Sequence, residues 1–95
     1  MSINLISDLR SLLDGWKDAL EYNNRKVTIS TARYIELKLS YTNSVQHENE
    51  LEDLAREIFE YLSIVETCNR TVVMLEEKIE KAIAELTTNA NKMGS

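Results

Sequence analysis

LEDLAREIFEYLSIVETCNRTV, residues 51–72, decides the fold class. Leu51, Leu54, Ala55, Ile58, Leu62 and Val65 recur at steps of three and four, the spacing that lines up one face of an α-helix. Through Ile58, Leu62, Val65, Asn69 and Val72 the steps of four and three alternate, as in a heptad seam. Downstream the pattern continues through Val72, Leu75, Ile79, Ala82, Ile83 and Leu86. The run Thr67-Cys68-Asn69-Arg70-Thr71 is poor in helix formers. Either one helix of some forty residues spans 46–88, or two helices meet near 69. A continuous helix of that length would reach about 60 Å. Thr87-Thr88-Asn89 is expected to end it. Asn43 with Gln46 three places on fits a capping box for its start.

Upstream, Ile3, Ile6, Leu9, Leu13, Trp16 and Leu20 form a second amphipathic stripe, widened by Leu5, Leu12 and Ala19. This predicts a helix over about 3–22, capped by Ser2 and ended by Asn23-Asn24. Trp16 is read as core, and Gly15 as a point where a neighbouring helix could approach closely. Between the two stripes, Val27, Ile29, Thr31, Arg33, Ile35, Leu37, Leu39 and Tyr41 alternate with polar residues, which is strand-like. The reading adopted is a short extended piece at 26–29 and a helix over 31–42, with a β-hairpin as the alternative. The expected fold is all-α: an antiparallel bundle of three to four helices with one long C-terminal helix or helical pair and a coiled-coil-like seam. Residues 1–93 make one domain, and Gly94-Ser95 reads as a cloning remnant.

Composition narrows the function. The 95 residues hold no proline, two glycines and a formal net charge of −5. An acidic chain argues against binding nucleic-acid phosphates or anionic membranes. No run approaches the ~20 apolar residues of a membrane span, and the start lacks the plan of a signal peptide. The lone Cys68 cannot form an internal disulfide, reads as a small buried hydrophobe, and suggests a reducing, cytoplasmic setting. His47 has no second His or Cys at ligand spacing, so no metal, cofactor or catalytic residue is assigned.

Charge is unevenly placed. Residues 23–42 carry Arg25, Lys26, Arg33 and Lys38 against Glu36, a net of +3, while residues 43–95 carry a net of −6. Two uses of the basic segment stay open. Arg25, Lys26, Thr28 and Arg33 around a helix start, with Tyr34 and Tyr22 to stack on a ring, could hold an anionic, nucleotide-like ligand. The simpler use is solvation, or pairing with the acidic third segment.

Val27-Thr28-Ile29-Ser30, with Tyr34 and Leu37 following, resembles a pattern of small phage-encoded helical and coiled-coil proteins. There a V-T-I-S piece leads into a helix carrying Y-x-x-L. This chain departs from it at Thr31, Ala32 and Arg33, where those proteins carry an acidic residue. The resemblance implies no activity. It implies a viral or mobile-element protein acting on a host component.

The functional expectation is a non-enzymatic interaction protein, such as a small oligomeric inhibitor, adaptor or regulator. Ile58, Leu62, Val65, Asn69 and Val72 would form the interface of a homodimer, with Asn69 as a buried polar residue setting register. Glu48, Glu50, Glu52, Asp53, Glu57 and Glu60 would steer a basic protein partner. A small-molecule binder at 25–34 is the second expectation, and a purely structural subunit the third.

Overall fold

A computed structural model describes residues 3–40 and 44–93. Two helices, α1 (Ile3–Leu39) and α2 (Val45–Met93), take up all of them except Ser40 and Ser44. They pack against each other as an antiparallel hairpin of 77 × 15 × 14 Å. That length is the span of α2 itself, whose 49 residues rise about 74 Å.

The fold is therefore all-α, but with two helices where three to four were expected. The expected break at 23–31 does not occur, and of the two readings left open for 67–71 the single continuous helix is the one found. Asn23 and Asn24 are weak helix formers, yet α1 passes through them because no proline interrupts the backbone and a continuous seam against α2 rewards continuity. Asn23 donates its side-chain amide to the Ala19 carbonyl at 2.7 Å, and the Thr28 hydroxyl donates to the Asn24 carbonyl at 3.1 Å. The stretch read as an extended piece or hairpin is thus helix interior. In α2 the Thr67 and Thr71 hydroxyls likewise turn back onto the carbonyls of Ser63 and Thr67. Their competition for backbone groups is settled without breaking the helix. Thr87 and Thr88 do the same, and α2 runs on to Met93.

The cap of α2 is Ser44, whose hydroxyl accepts the His47 amide at 3.1 Å. Glu48 stands in the first turn, where the helix dipole favours it. The expected caps Ser2 and Asn43 lie outside the described residues. At the other side of the turn, the Ser40 amide and hydroxyl donate to the Leu37 and Glu36 carbonyls.

One seam joins the helices. In α1 it is Ile6, Leu9, Leu13, Trp16, Leu20, Asn23, Val27, Ser30, Tyr34 and Leu37, in unbroken three–four alternation. All are buried or half-buried except Trp16 at the edge. In α2 it is His47, Leu51, Leu54, Ile58, Tyr61, Val65, Cys68, Val72, Leu75, Ile79, Ala82 and Leu86, all buried or half-buried. Both series have the 3.5-residue average of a coiled-coil seam. Ser30 donates to the Glu57 carboxylate at 3.4 Å. An antiparallel pairing stepped outward from that contact brings Asn23 level with Val65, Leu20 with Cys68 and Ile6 with Ala82.

This seam corrects two positions. Tyr61 and Cys68, not Leu62 and Asn69, face α1. Leu62 is 44% exposed and Asn69 is on the surface, whereas Cys68 is 2% exposed. The buried polar residues of the seam are Asn23 and Ser30, each 8% exposed. Trp16 is half in and half out rather than core. Gly15 lies on the exposed side of α1 with nothing within 4 Å of where a Cβ would stand, so α2 makes no close approach there.

Candidate interaction surfaces

A two-helix seam leaves two broad flanks, one on each side of the plane of the hairpin. The heptad assigns residues to them. The first flank carries Leu12, Gly15, Ala19, Tyr22, Lys26, Ile29 and Arg33 of α1. From α2 it takes Glu50, Asp53, Glu57, Glu60, Ile64, Thr67, Thr71, Met74, Lys78, Lys81 and Glu85. The second carries Arg10, Lys17, Asn24, Thr28, Thr31 and Ile35 of α1. Its α2 residues are Glu48, Glu52, Ala55, Phe59, Leu62, Glu66, Asn69, Val73, Glu76, Glu80 and Ile83.

The six carboxylates expected to steer a partner are all exposed. They divide between the flanks: Glu50, Asp53, Glu57 and Glu60 on the first, Glu48 and Glu52 on the second. The first four line an open depression near the turn, together with Arg33, Leu37, Leu54 and Arg56. Arg56 pairs with Asp53 at 3.6 Å, both well exposed, so the pair adds little stability. Arg33 therefore sits among carboxylates of α2. Of the basic second segment, Arg33 is the residue that lines this depression.

That placement bears on the expected anion site. Its premise was a helix start near Ser30 with unpaired amides, but the segment is interior to α1, so those amides are not free. The five residues also do not converge. Arg33 lines the acidic depression, while Arg25 and Thr28 line a separate one with Lys17, Leu20, Glu21 and Asn24. Tyr34 belongs to the seam. The rings expected to stack on a ligand carry lysines instead: Lys26 Nζ lies 5.4 Å from the Tyr22 centroid and Lys38 Nζ 5.7 Å from that of Tyr34.

The expected homodimer interface is occupied too. Ile58, Val65 and Val72 pack toward α1 of the same chain, and only Leu62 and Asn69 of that set face outward. Exposed apolar side chains that the seam reading passed over stand on the flanks: Tyr22, Ile29, Ile35, Phe59, Ile64, Val73 and Met74; Leu12, read as part of the α1 stripe, is exposed too. Their signal was present in the sequence as three–four steps offset from the seam, such as Phe59-Leu62 and Ile64-Thr67-Thr71-Met74. His47 is a half-buried seam residue at the start of α2, and among the described residues no three His, Cys, Asp or Glu are grouped to hold a metal ion. No described helix is long and apolar enough to cross a membrane.

Compared with protein-family models, with curated proteins and with solved structures, the chain finds no match.

Proposed function

We propose that this hairpin is a non-enzymatic interaction module that associates with a second copy of itself and offers the acidic start of α2 to a basic protein partner, as an inhibitor, adaptor or regulator would. One observation carries the reading: the distribution of apolar side chains. Among the described residues six apolar side chains are buried, Ile6, Cys68, Val72, Leu75, Ile79 and Ala82, while large ones such as Phe59, at 73% exposure, stand on the surface along both flanks. The chain exposes 7350 Å² at 10.9 kDa, where a compact monomer of that mass exposes ~5,600 Å². The excess reflects the 77 × 15 × 14 Å rod, and the exposed apolar side chains along it favour association. The carboxylates of Glu48, Glu50, Glu52 and Asp53 supply the long-range attraction that selects a basic partner and speeds encounter.

Two measurements test this. Sedimentation velocity should show a dimer or larger species at micromolar concentration; a monomer across the accessible range would remove the self-association. Capture from the native host should retain a basic protein at low salt and release it at high salt. The quadruple change Glu48→Gln, Glu50→Gln, Glu52→Gln and Asp53→Asn should abolish that capture. Retention of the same protein by the neutralised variant would remove the acidic recognition.

A further inference from the structure

The two flanks are not equivalent. On the second flank every charged residue of α2 is acidic: Glu48, Glu52, Glu66, Glu76 and Glu80. Two copies joined there antiparallel, α2 against α2, would bring carboxylates together. On the first flank, two acidic residues of α2 are mirrored about residue 69 by two basic ones. Glu60 and Lys78 each stand nine residues from it, and Glu57 and Lys81 each stand twelve. Between them Ile64, Thr67, Thr71 and Met74 bear no charge. Ile64 and Met74 are both 44% exposed. The hydroxyls of Thr67 and Thr71 are already bonded to carbonyls of their own helix, at 3.2 and 2.9 Å. Covering these threonines therefore strands no polar group. Level with this stretch on α1 lie Gly15, Ala19 and Tyr22, also uncharged.

From this we infer that the first flank is the docking face for a second copy of the chain, packed antiparallel about a two-fold axis near residue 69, giving a four-helix bundle. The inference rests on the self-association proposed above and names its face and direction. The two-fold sets Ile64 against Met74 of the second copy and Thr67 against its Thr71. It sets Glu60 and Glu57 against the second copy's Lys78 and Lys81, twice over by symmetry. On α1 it brings Tyr22, 53% exposed, level with the open space over Gly15 of the other copy. One pair is unfavourable: Asp53 falls level with Glu85, and Asp53 is partly neutralised by Arg56. The face is long enough. A standard interface takes roughly 800 Å² from each partner, and the hairpin is 77 Å long and 15 Å wide.

Two sets of variants of the full chain test the face and the direction, read by sedimentation and by circular dichroism. Ile64→Glu should weaken dimerisation on the order of a hundredfold, because the two-fold buries the new carboxylate. Helicity should be unchanged, since Ile64 lies off the seam. Phe59→Glu, on the second flank, should leave dimerisation unchanged. For direction, Glu57→Lys with Glu60→Lys should dissociate the dimer, and so should Lys78→Glu with Lys81→Glu. Mixing the two double variants should restore a dimer at wild-type strength to within about tenfold. A monomeric wild type sinks self-association and this face with it. A dimeric wild type that survives Ile64→Glu but falls to Phe59→Glu overturns the face alone. A dimer indifferent to Lys78→Glu with Lys81→Glu overturns the antiparallel direction. That result would fit a parallel pairing, which sets Lys26 and Arg33 against Glu57 and Glu60.

Discussion

The half of the hairpin far from the turn and the half beside it are held by different physics. In the far half, α1 residues 6–20 lie against α2 residues 68–82, and all six buried apolar side chains among the described residues are found there. In the near half, α1 residues 27–37 lie against α2 residues 51–61. There the seam residues Val27, Tyr34, Leu54, Ile58 and Tyr61 are only half-buried, and the one buried seam residue is Ser30. The near half also holds the most exposed apolar side chains, Leu39 and Val45 at 75% and Phe59 at 73%. There Arg33 lines an open depression with Glu50, Asp53, Glu57 and Glu60. Burial is worth about 25 cal/mol per Å² and is little affected by salt, whereas exposed charge pairs contribute ~0–1 kcal/mol and are screened. The far half is thus the anchor, and the near half is the part most easily opened.

The largest expected effect tests that ranking directly. Leu75→Ala, in the far half, should cost about 2–5 kcal/mol in urea denaturation. Leu54→Ala, at a half-buried seam position near the turn, should cost about half as much or less. Equal costs would break the comparison. Next, Ser30→Val should stabilise by ~1 kcal/mol, because it places a methyl where a hydroxyl makes only a 3.4 Å bond to Glu57. Amides of residues 27–37 and 51–61 should exchange more slowly in that variant, and those of 68–82 should hold their rates. Ser44→Ala should lose about 1 kcal/mol by removing the cap of α2, with the exchange increase confined to the first turns of that helix. Smallest is salt. Raising it from about 0.05 to 0.5 M should shift near-half opening by a few tenths of a kcal/mol and leave the far half unmoved.

The same division explains what could be read from the sequence. The far half was legible on both helices. Ile6, Leu9, Leu13 and Leu20 on α1, and Val72, Leu75, Ile79 and Ala82 on α2, are apolar at seam spacing, and they are where the seam is. The middle of α1 misled because Asn23 and Ser30 occupy seam positions while Ile29, Ile35 and Leu39 stand outside it. Polar residues inside and apolar ones outside together imitate an alternating strand. On α2, Ile58, Val65 and Val72 are common to two interleaved seams, one through Leu62 and Asn69 and one through Tyr61 and Cys68. The apolar pattern alone favoured Leu62 over Tyr61. The polar side chain of Asn69 beside the apolar Cys68 was the discriminating signal. The acidic residues were legible as a group. Their division between two flanks, and the placement of Arg33 among them, required the pairing of the helices.

An antiparallel hairpin brings the first turn of α1 and the last turns of α2 to the same end of the rod. A force pulling those two ends apart would open the pair by peeling rather than by sliding, a few side chains at a time. Peeling would meet the turns holding Ile6, Leu75, Ile79 and Ala82 first, so resistance peaks at the outset. Once Cys68 is passed, the weakly joined remainder gives way with little further load. The molecule therefore has the mechanical character of a latch, firm until a threshold and then open to its tip.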